Sequence, residues 1–491
     1  MQGLPRPLKL TAMEMTPKSS YHFIGIGGIG MSGLAELLVR QGFRVSGSDL
    51  AANAVTARLE GLGVKFYQGH RAEHIGDAQV VVYSAAVRDS NPELAAARAL
   101  GREVWRRGEL QAHLMAGHHQ IAVTGMHGKT STTAMVAAIL RAGGLDPTVL
   151  VGAIWDSLGS NAVLGRGQYF VAEADESDAS FALLTPQTTV ITNLDREHLD
   201  YYRDMAHIQE TFAAYLNRLP SDSLVVAWAD DPHLAPLLNP RRHRLLTYRL
   251  GPGADFGASQ IEVRGLGGRY RLWHQGRELG GINLPLAGPH YVLNSLAACA
   301  VAHSLGLPFD VWRRGLAQLG QIHRRCQLKG LVKDILVMDD YGHHPTEIET
   351  TLAALAQAFP ARRLVVAFQP HRYSRTRALL PEFFPVFARA HRVWITEIYS
   401  AGEETVPGLS GRHIFEGIRR QGHPEAFFAP DRQALLEALL HTVQPGDLVL
   451  TLGAGDIWRL GEELLAQLSG NVSASLTPKL AGAPSCRGAR P

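Results

Sequence analysis

The stretch QIAVTGMHGKTSTTAMVAAIL, Gln120 to Leu140, decides how this chain is read. A short β-branched strand runs into a glycine loop, and an alanine-rich helix leaves it. The loop is Gly125-Met126-His127-Gly128-Lys129-Thr130-Ser131. It has two residues between its glycines where the usual phosphate loop has four, which makes it a compressed relative. Its chemistry follows from the residue types. Peptide N–H groups and the helix N-terminus hold phosphate oxygens, Lys129 reaches the β and γ phosphates, and the Thr130 hydroxyl suits Mg²⁺. A plain helix cap with an exposed lysine is the bland alternative.

Two acidic stretches follow on the same sheet edge. YFVAEADESD puts Glu173 at the carboxyl end of a strand, with Asp175, Glu176 and Asp178 behind it. TTVITNLDREHLD does the same for Asn193, with Asp195 and His198 in the next loop. In doubly wound sheets the carboxyl ends of the strands form the ligand crevice. A carboxylate and an imidazole beside a triphosphate suit Mg²⁺ there, although histidine is an unusual magnesium ligand. Without the loop, these acids would read as solvated surface.

The alternation of strand, turn and helix recurs on both sides. In YHFIGIGGIGMSGLAELLVRQGFRVSGSDL, Gly25, Gly27 and Gly30 form GxGxxG around Gly28, directly after a strand. That turn admits a diphosphate at the start of a helix, and Asp49 ends the next strand, where an acid often meets a ribose. The motif does not separate NAD from a nucleotide sugar, which carries the same diphosphate. A third start, DILVMDDYGHHPTEIETTLAALAQAF, begins at Asp334. The reading is an α/β chain of three domains with mostly parallel sheets. Their expected limits are 20–117, 118–326 and 327–469. Segments 1–19 and 470–491 lack apolar periodicity and are expected to be disordered. Residues 240 to 285, rich in Gly and Arg with short strand-like pieces, predict an antiparallel edge or insertion in the middle domain.

Composition excludes several classes. The chain has 491 residues, with 48 Lys and Arg against 45 Asp and Glu. Lys479, Arg487 and Arg490 near the end account for the surplus of +3, so no nucleic-acid-binding surface is indicated. Cys299, Cys326 and Cys486 show no paired spacing, which argues against a disulfide scaffold and for a reducing, cytoplasmic setting. The longest uncharged run, Leu279 to Phe309, is broken by Pro285 and Pro289, so no membrane span is expected.

GMHGKTST, EADESDASF, DREHLDYY, DDYGHHPTE, FQPHRYSRTR and GAGDIW, in this order and with GIGGIGMSGLAE and SGSD before them, resemble the Mur ligases of peptidoglycan synthesis. The resemblance spans residues 20 to 465. It implies an N-terminal Rossmann-like domain for a UDP-sugar, a central P-loop-type ATPase domain, and a C-terminal Rossmann-like domain that closes over an amino acid. ATP and Mg²⁺ are the implied cofactors, with UDP-N-acetylmuramate and L-alanine as substrates, no nucleic acid or membrane partner, and a monomer or weak homodimer. ATP would convert the carboxylate to an acyl phosphate, because phosphate leaves readily and oxide does not.

Carried onto this sequence, Gly125, Met126, His127, Gly128, Lys129, Thr130 and Ser131 would hold ATP, with His290, Asn294, Arg325 and Asp340. Thr130, Glu173 and His198 would hold metal. Gly25, Gly27, Gly28, Gly30 and Asp49 would take the UDP-sugar, and His344, Arg375 and Arg377 would face the muramate carboxylate and alanine. Lys129, Glu173, His198, Arg325 and His344 form the implied catalytic set. The chain departs from the family pattern at Met126, Tyr291 and Glu197, where Thr, Asn and Asp are usual. Cys326-Gln327 stands where the family has Phe-Asp or Phe-Glu, beside Arg325 at the expected domain interface.

Rival readings fare worse or stay open. A ligase that recycles murein tripeptide onto the same sugar remains open. A folylpolyglutamate-synthetase-like enzyme lacks the GxGxxG domain, and an NAD-dependent oxidoreductase leaves the Lys129 loop unexplained. A switch ATPase leaves the first glycine motif and DDYGHHP without a purpose.

Overall fold

The computed structural model describes residues 19–470, so all but the inner ends of the two expected disordered segments lie outside the described residues. Three sheets follow one another along the chain. The first has five parallel strands in the order Lys65–Gln68, Arg44–Asp49, Ser20–Ile24, Val80–Tyr83, Glu103–Arg106. Ser20–Ile24 is buried along its whole length, as a central strand of a parallel sheet must be. The strand order reverses on either side of it, so the Gly25–Gly30 turn at its carboxyl end sits at a topological switch point.

The middle sheet has ten strands. At its centre His119–Thr124 runs parallel between Thr188–Ile191 and Tyr169–Glu173. The carboxyl ends of these three strands bring Gly125, Asn193 and Glu173 together. Towards one edge, Phe256–Arg264, Gly267–His274 and Arg277–Leu284 pair antiparallel, the arrangement expected from residues 240 to 285. The last hairpin turns at Gln275 and Gly276, both with positive φ, which matches the twist of the flanking strands. The third sheet has six strands, five parallel and one, Gln327–Val332, antiparallel at the edge.

Buried side chains join the domains. Leu34 and Leu38 of the first domain share an apolar cluster with Leu150, Phe170 and Ile208 of the middle one. Val136 and Leu296 of the middle domain share another with Ile348 and Leu352 of the third. Among the described residues, no helix is long and apolar enough to cross a membrane.

Candidate active site

The loop after His119–Thr124 needs glycine at two points, Gly125 with φ 116° and Gly128 with φ 83°. A Cβ at Gly128 would stand 2.7 Å from Asn294 Oδ1, so the buried Asn294 lies directly over the loop. The His127 N–H donates to Asn193 Oδ1 at 3.0 Å, and Asn193 Nδ2 donates to the His127 carbonyl at 2.9 Å. This pair ties the loop to the neighbouring strand end.

Lys129 opens the helix Lys129–Ala142 and folds back over the loop. Its Nζ donates to the Gly125 and Met126 carbonyls at 2.8 and 3.0 Å, and to Glu176 Oε1 at 2.8 Å. Burial disfavours the charge, but Glu176 and Glu173 outweigh it, so the Lys129 pKa is raised and the ammonium persists. The Thr130 hydroxyl donates to Glu173 Oε2 at 2.9 Å, an oxygen that also accepts the Gly152 N–H. Arg325 Nη2 reaches Thr130 Oγ1 at 3.2 Å. His198 adopts the left-handed region, φ 53°, and places Nε2 3.0 Å from Glu176 Oε1. Burial pushes its pKa down, and Glu176 reverses that to a net rise. The structure thus gathers Lys129 and His198 on Glu176, while Thr130 gathers on Glu173. Glu176 Oε2 is buried and has no hydrogen-bond partner. The Thr130 hydroxyl and the Glu173 and Glu176 carboxylates, the latter with one oxygen orphaned, form a hard-oxygen donor set that fits Mg²⁺.

The third domain closes this site with charged groups. His344 caps the helix Pro345–Ala358 and forms a capping box with Glu347. His127 lies between two carboxylates, Nε2 at 2.9 Å from Asp195 Oδ2 and Nδ1 at 3.1 Å from Glu347 Oε1. Burial opposes its charge, yet these two hydrogen bonds prevail and raise its pKa to about 10. His344 Nδ1 lies 3.5 Å from Asp195 Oδ2, and burial together with the His127 charge lowers its pKa. Arg375 donates Nε and Nη2 to Glu197 Oε1 at 2.9 and 2.8 Å. Arg372 Nη1 donates to Asp200 Oδ2 at 2.9 Å. Arg377, two residues beyond Arg375 on the short helix Tyr373–Ala378, is exposed and does not join them.

Other expected residues sit further from the centre. Asp340 is buried, and its carboxylate accepts the Cys326 and Gly342 N–H groups at 2.7 and 2.8 Å, so it fixes the linker backbone. His290 Nδ1 is buried without a partner, and burial, helped by Arg325, takes its pKa down to about 4. In the first domain the Gly27 N–H donates to Asp49 Oδ2 at 2.8 Å, closing the glycine turn on that acid.

Sequence reasoning did not select Glu347, Asp195, Glu197 or Arg107 as site residues. For Glu347 a signal existed, since the spacing His344-x-x-Glu347 is that of a capping box. The departures at Tyr291 and Cys326 prove to be neighbours, both buried. A large ring at one position accompanies a small side chain at the other. Gln327 Oε1 accepts the Arg324 N–H at 3.1 Å, which braces the same linker.

Three family models match this chain in sequence: Mur ligase family, catalytic domain, over residues 20–119; Mur ligase middle domain over 123–302; and Mur ligase, glutamate ligase domain, over 324–455. The chain belongs to the Mur ligase family, which is ATP-dependent. It is 47% identical to the UDP-N-acetylmuramate–L-alanine ligase of Syntrophobacter fumaroxidans, across 94% of this chain and 98% of that one. The enzyme of that name from Geobacter sulfurreducens is likewise 47% identical, across 91% and 97%. Among solved structures, a UDP-N-acetylmuramate–alanine ligase from Thermotoga maritima superimposes with a TM-score of 0.80 at 29% identity, over 92% of this chain and 99% of that one. A murein peptide ligase from Psychrobacter arcticus shares the fold, with a TM-score of 0.70 at 24% identity over 93% and 100%.

Proposed function

We propose that the protein joins L-alanine to the lactyl carboxylate of UDP-N-acetylmuramate, using ATP and passing through an acyl phosphate, in the synthesis of peptidoglycan precursors. The observation that carries this reading is the meeting of two charge sets across one seam. Lys129, Thr130, Glu173 and His198 come from the middle domain, and His344, Arg372 and Arg375 from the third. The domain limits 20–117, 118–326 and 327–469 go with it.

The Lys129 ammonium and Arg325 would lie along the ATP phosphates and stabilise the charge that grows as the γ-phosphoryl group moves to the carboxylate. Thr130 and Glu173, with His198, would hold Mg²⁺, which neutralises phosphate charge when bound. Arg375 would leave Glu197 to meet the muramate carboxylate, and Arg372 would stand beside it. His344, kept neutral by burial and by the His127 charge, would border the incoming amine from the start of its helix. That amine attacks the acyl carbon, and phosphate leaves.

Phosphate release with UDP-N-acetylmuramate, ATP, Mg²⁺ and single amino acids tests the reading. Release that depends on L-alanine is expected. Turnover with a tripeptide but not with L-alanine would move the protein to the recycling activity, and release with neither would end the proposal.

A further inference from the structure

The helix Arg107–Met115 belongs to the first domain but lies against the acid strand of the middle one. Gln111 Nε2 donates to the Glu173 carbonyl at 2.9 Å. Gly108 approaches so closely that a Cβ there would stand 2.5 Å from Ser180 Cβ. One turn before Gln111, and so on the same helix face, Arg107 Nη2 donates to Asp175 Oδ2 at 2.5 Å. Among the described residues this is the one ion pair between the first and middle domains.

The same guanidinium borders the glycine turn. A Cβ at Gly30 would lie 3.3 Å from Arg107 Cδ and 3.4 Å from its Nη1. Arg107 is half-buried, and Asp175 is the only hydrogen-bond partner its side chain has among the described residues. Most of its five N–H donors therefore have no acceptor among the described residues. A fork of donors beside a helix start, where backbone N–H groups also point outward, matches the geometry of phosphate oxygens.

We propose that Arg107 is a ligand for the diphosphate of the bound nucleotide sugar, and that Asp175 holds the guanidinium in place and competes with the diphosphate for it. The proposal rests on the reading of the first domain as the nucleotide-sugar site. Asp175 offsets the cost of a half-buried cation when no phosphate is present. Arrival of the diphosphate draws Arg107 charge away from Asp175, two residues past Glu173. Binding at the sugar site is thereby felt at the acid strand of the ATP site.

Uridine diphosphate binding to the full-length protein, measured by calorimetry without ATP, is the test. Arg107→Ala is expected to weaken binding about tenfold to a hundredfold, the range for a hydrogen bond to a charged group, with ADP affinity unchanged. Arg107→Lys should recover part of the loss. Asp175→Asn should tighten uridine diphosphate binding several-fold while lowering kcat, and the tightening should vanish in the Arg107→Ala background. A role confined to holding the domains together predicts weaker binding in both single variants. Unchanged affinity in Arg107→Ala, or tightening by Asp175→Asn that survives loss of Arg107, overturns the proposal, and should Arg107→Ala fail to fold, Asp175→Asn alone decides by its sign. If the parent protein does not bind uridine diphosphate at all, the nucleotide-sugar reading itself falls.

Discussion

The seam between the first and middle domains and the seam between the middle and third differ in chemistry. The first is close-packed and mostly neutral. Asn161 Nδ2 donates to the Ile29 carbonyl at 2.6 Å, Arg58 Nη2 donates to Asn161 Oδ1 at 3.0 Å, and Gly33 fits against Leu150. The second carries five ion pairs among the described residues: His127–Glu347, Arg375–Glu197, Arg372–Asp200, Arg324–Asp339 and Arg196–Glu382. Neutral packing has no substitute partner to accept, whereas each ion pair can be exchanged for one with a phosphate or a carboxylate. Apart from the single pair Arg107–Asp175, the first seam is therefore built to stay and the second to be rewritten by anionic ligands.

The largest effect should come from breaking the most buried of these pairs. Arg375→Ala leaves Glu197 buried without its cation, at a cost of about 3–5 kcal/mol. Opening of the third domain relieves that cost, so solution scattering should show an expanded particle and kcat/KM should fall at least a hundredfold. Adding Glu197→Gln should restore compactness but not activity. A compact, active Arg375→Ala protein would contradict the contrast between the seams.

Next comes the neutral seam. In Gly33→Leu the new Cβ would stand 2.5 Å from Leu150 Cδ1 and 2.7 Å from Asn161 Nδ2. Urea unfolding should show a loss of about 1–3 kcal/mol from overpacking, with no change in the salt dependence of domain opening. Sensitivity to salt in this variant would blur the distinction.

Alkaline pH should loosen only the second seam. His127 has its folded pKa raised to about 10, so its contribution is complete below the unfolded value of ~6.5 and is lost as pH climbs through about 10. Its partner Glu347 is shifted the opposite way: burial alone would raise its pKa, but the His343, His127 and Arg325 charges hold it well below the carboxylate range. Its share therefore fails only in acid. Hydrogen exchange at the helix Pro345–Ala358 should quicken between pH 7 and 10.5, and His127→Gln should flatten that rise. The smallest effect belongs to Arg196–Glu382, where both side chains are about half exposed. Arg196→Ala should shift domain closure by less than ~1 kcal/mol, and by nothing measurable in 1 M salt.

Local motifs were legible in the sequence because each is a short run whose glycines, lysine and acids act through the adjoining backbone. The glycine turn on Ser20–Ile24, the loop on His119–Thr124 and Glu173 at its strand end all stand where the pattern of strands put them. Pairings between distant segments were not legible. Glu176 joins Lys129 to His198, and Glu197 meets Arg375 across 178 positions, through folding alone. Helical phase decided another case. Arg375 and Arg377 look equivalent in SRTR, yet residues two apart on a helix face different ways, and Arg372, just before the helix, reaches Asp200 instead. The antiparallel edge after residue 240 was foreseeable from glycine content, but its Gln275–Gly276 turn was not singled out.

The linker that carries Arg325 is wound against its own preference. Arg324 and Cys326, flanking it, hold φ of 60° and 45°, a conformation that costs a residue bearing a Cβ about 1–2 kcal/mol. Hydrogen bonds from Arg324 to the carbonyls of Gly453, Ala454 and Gly455, and from the Cys326 N–H to Asp340, keep it wound. Those few contacts therefore carry the cost of the wound connector, and any change that loosens them is helped by backbone relaxation at Arg324 and Cys326.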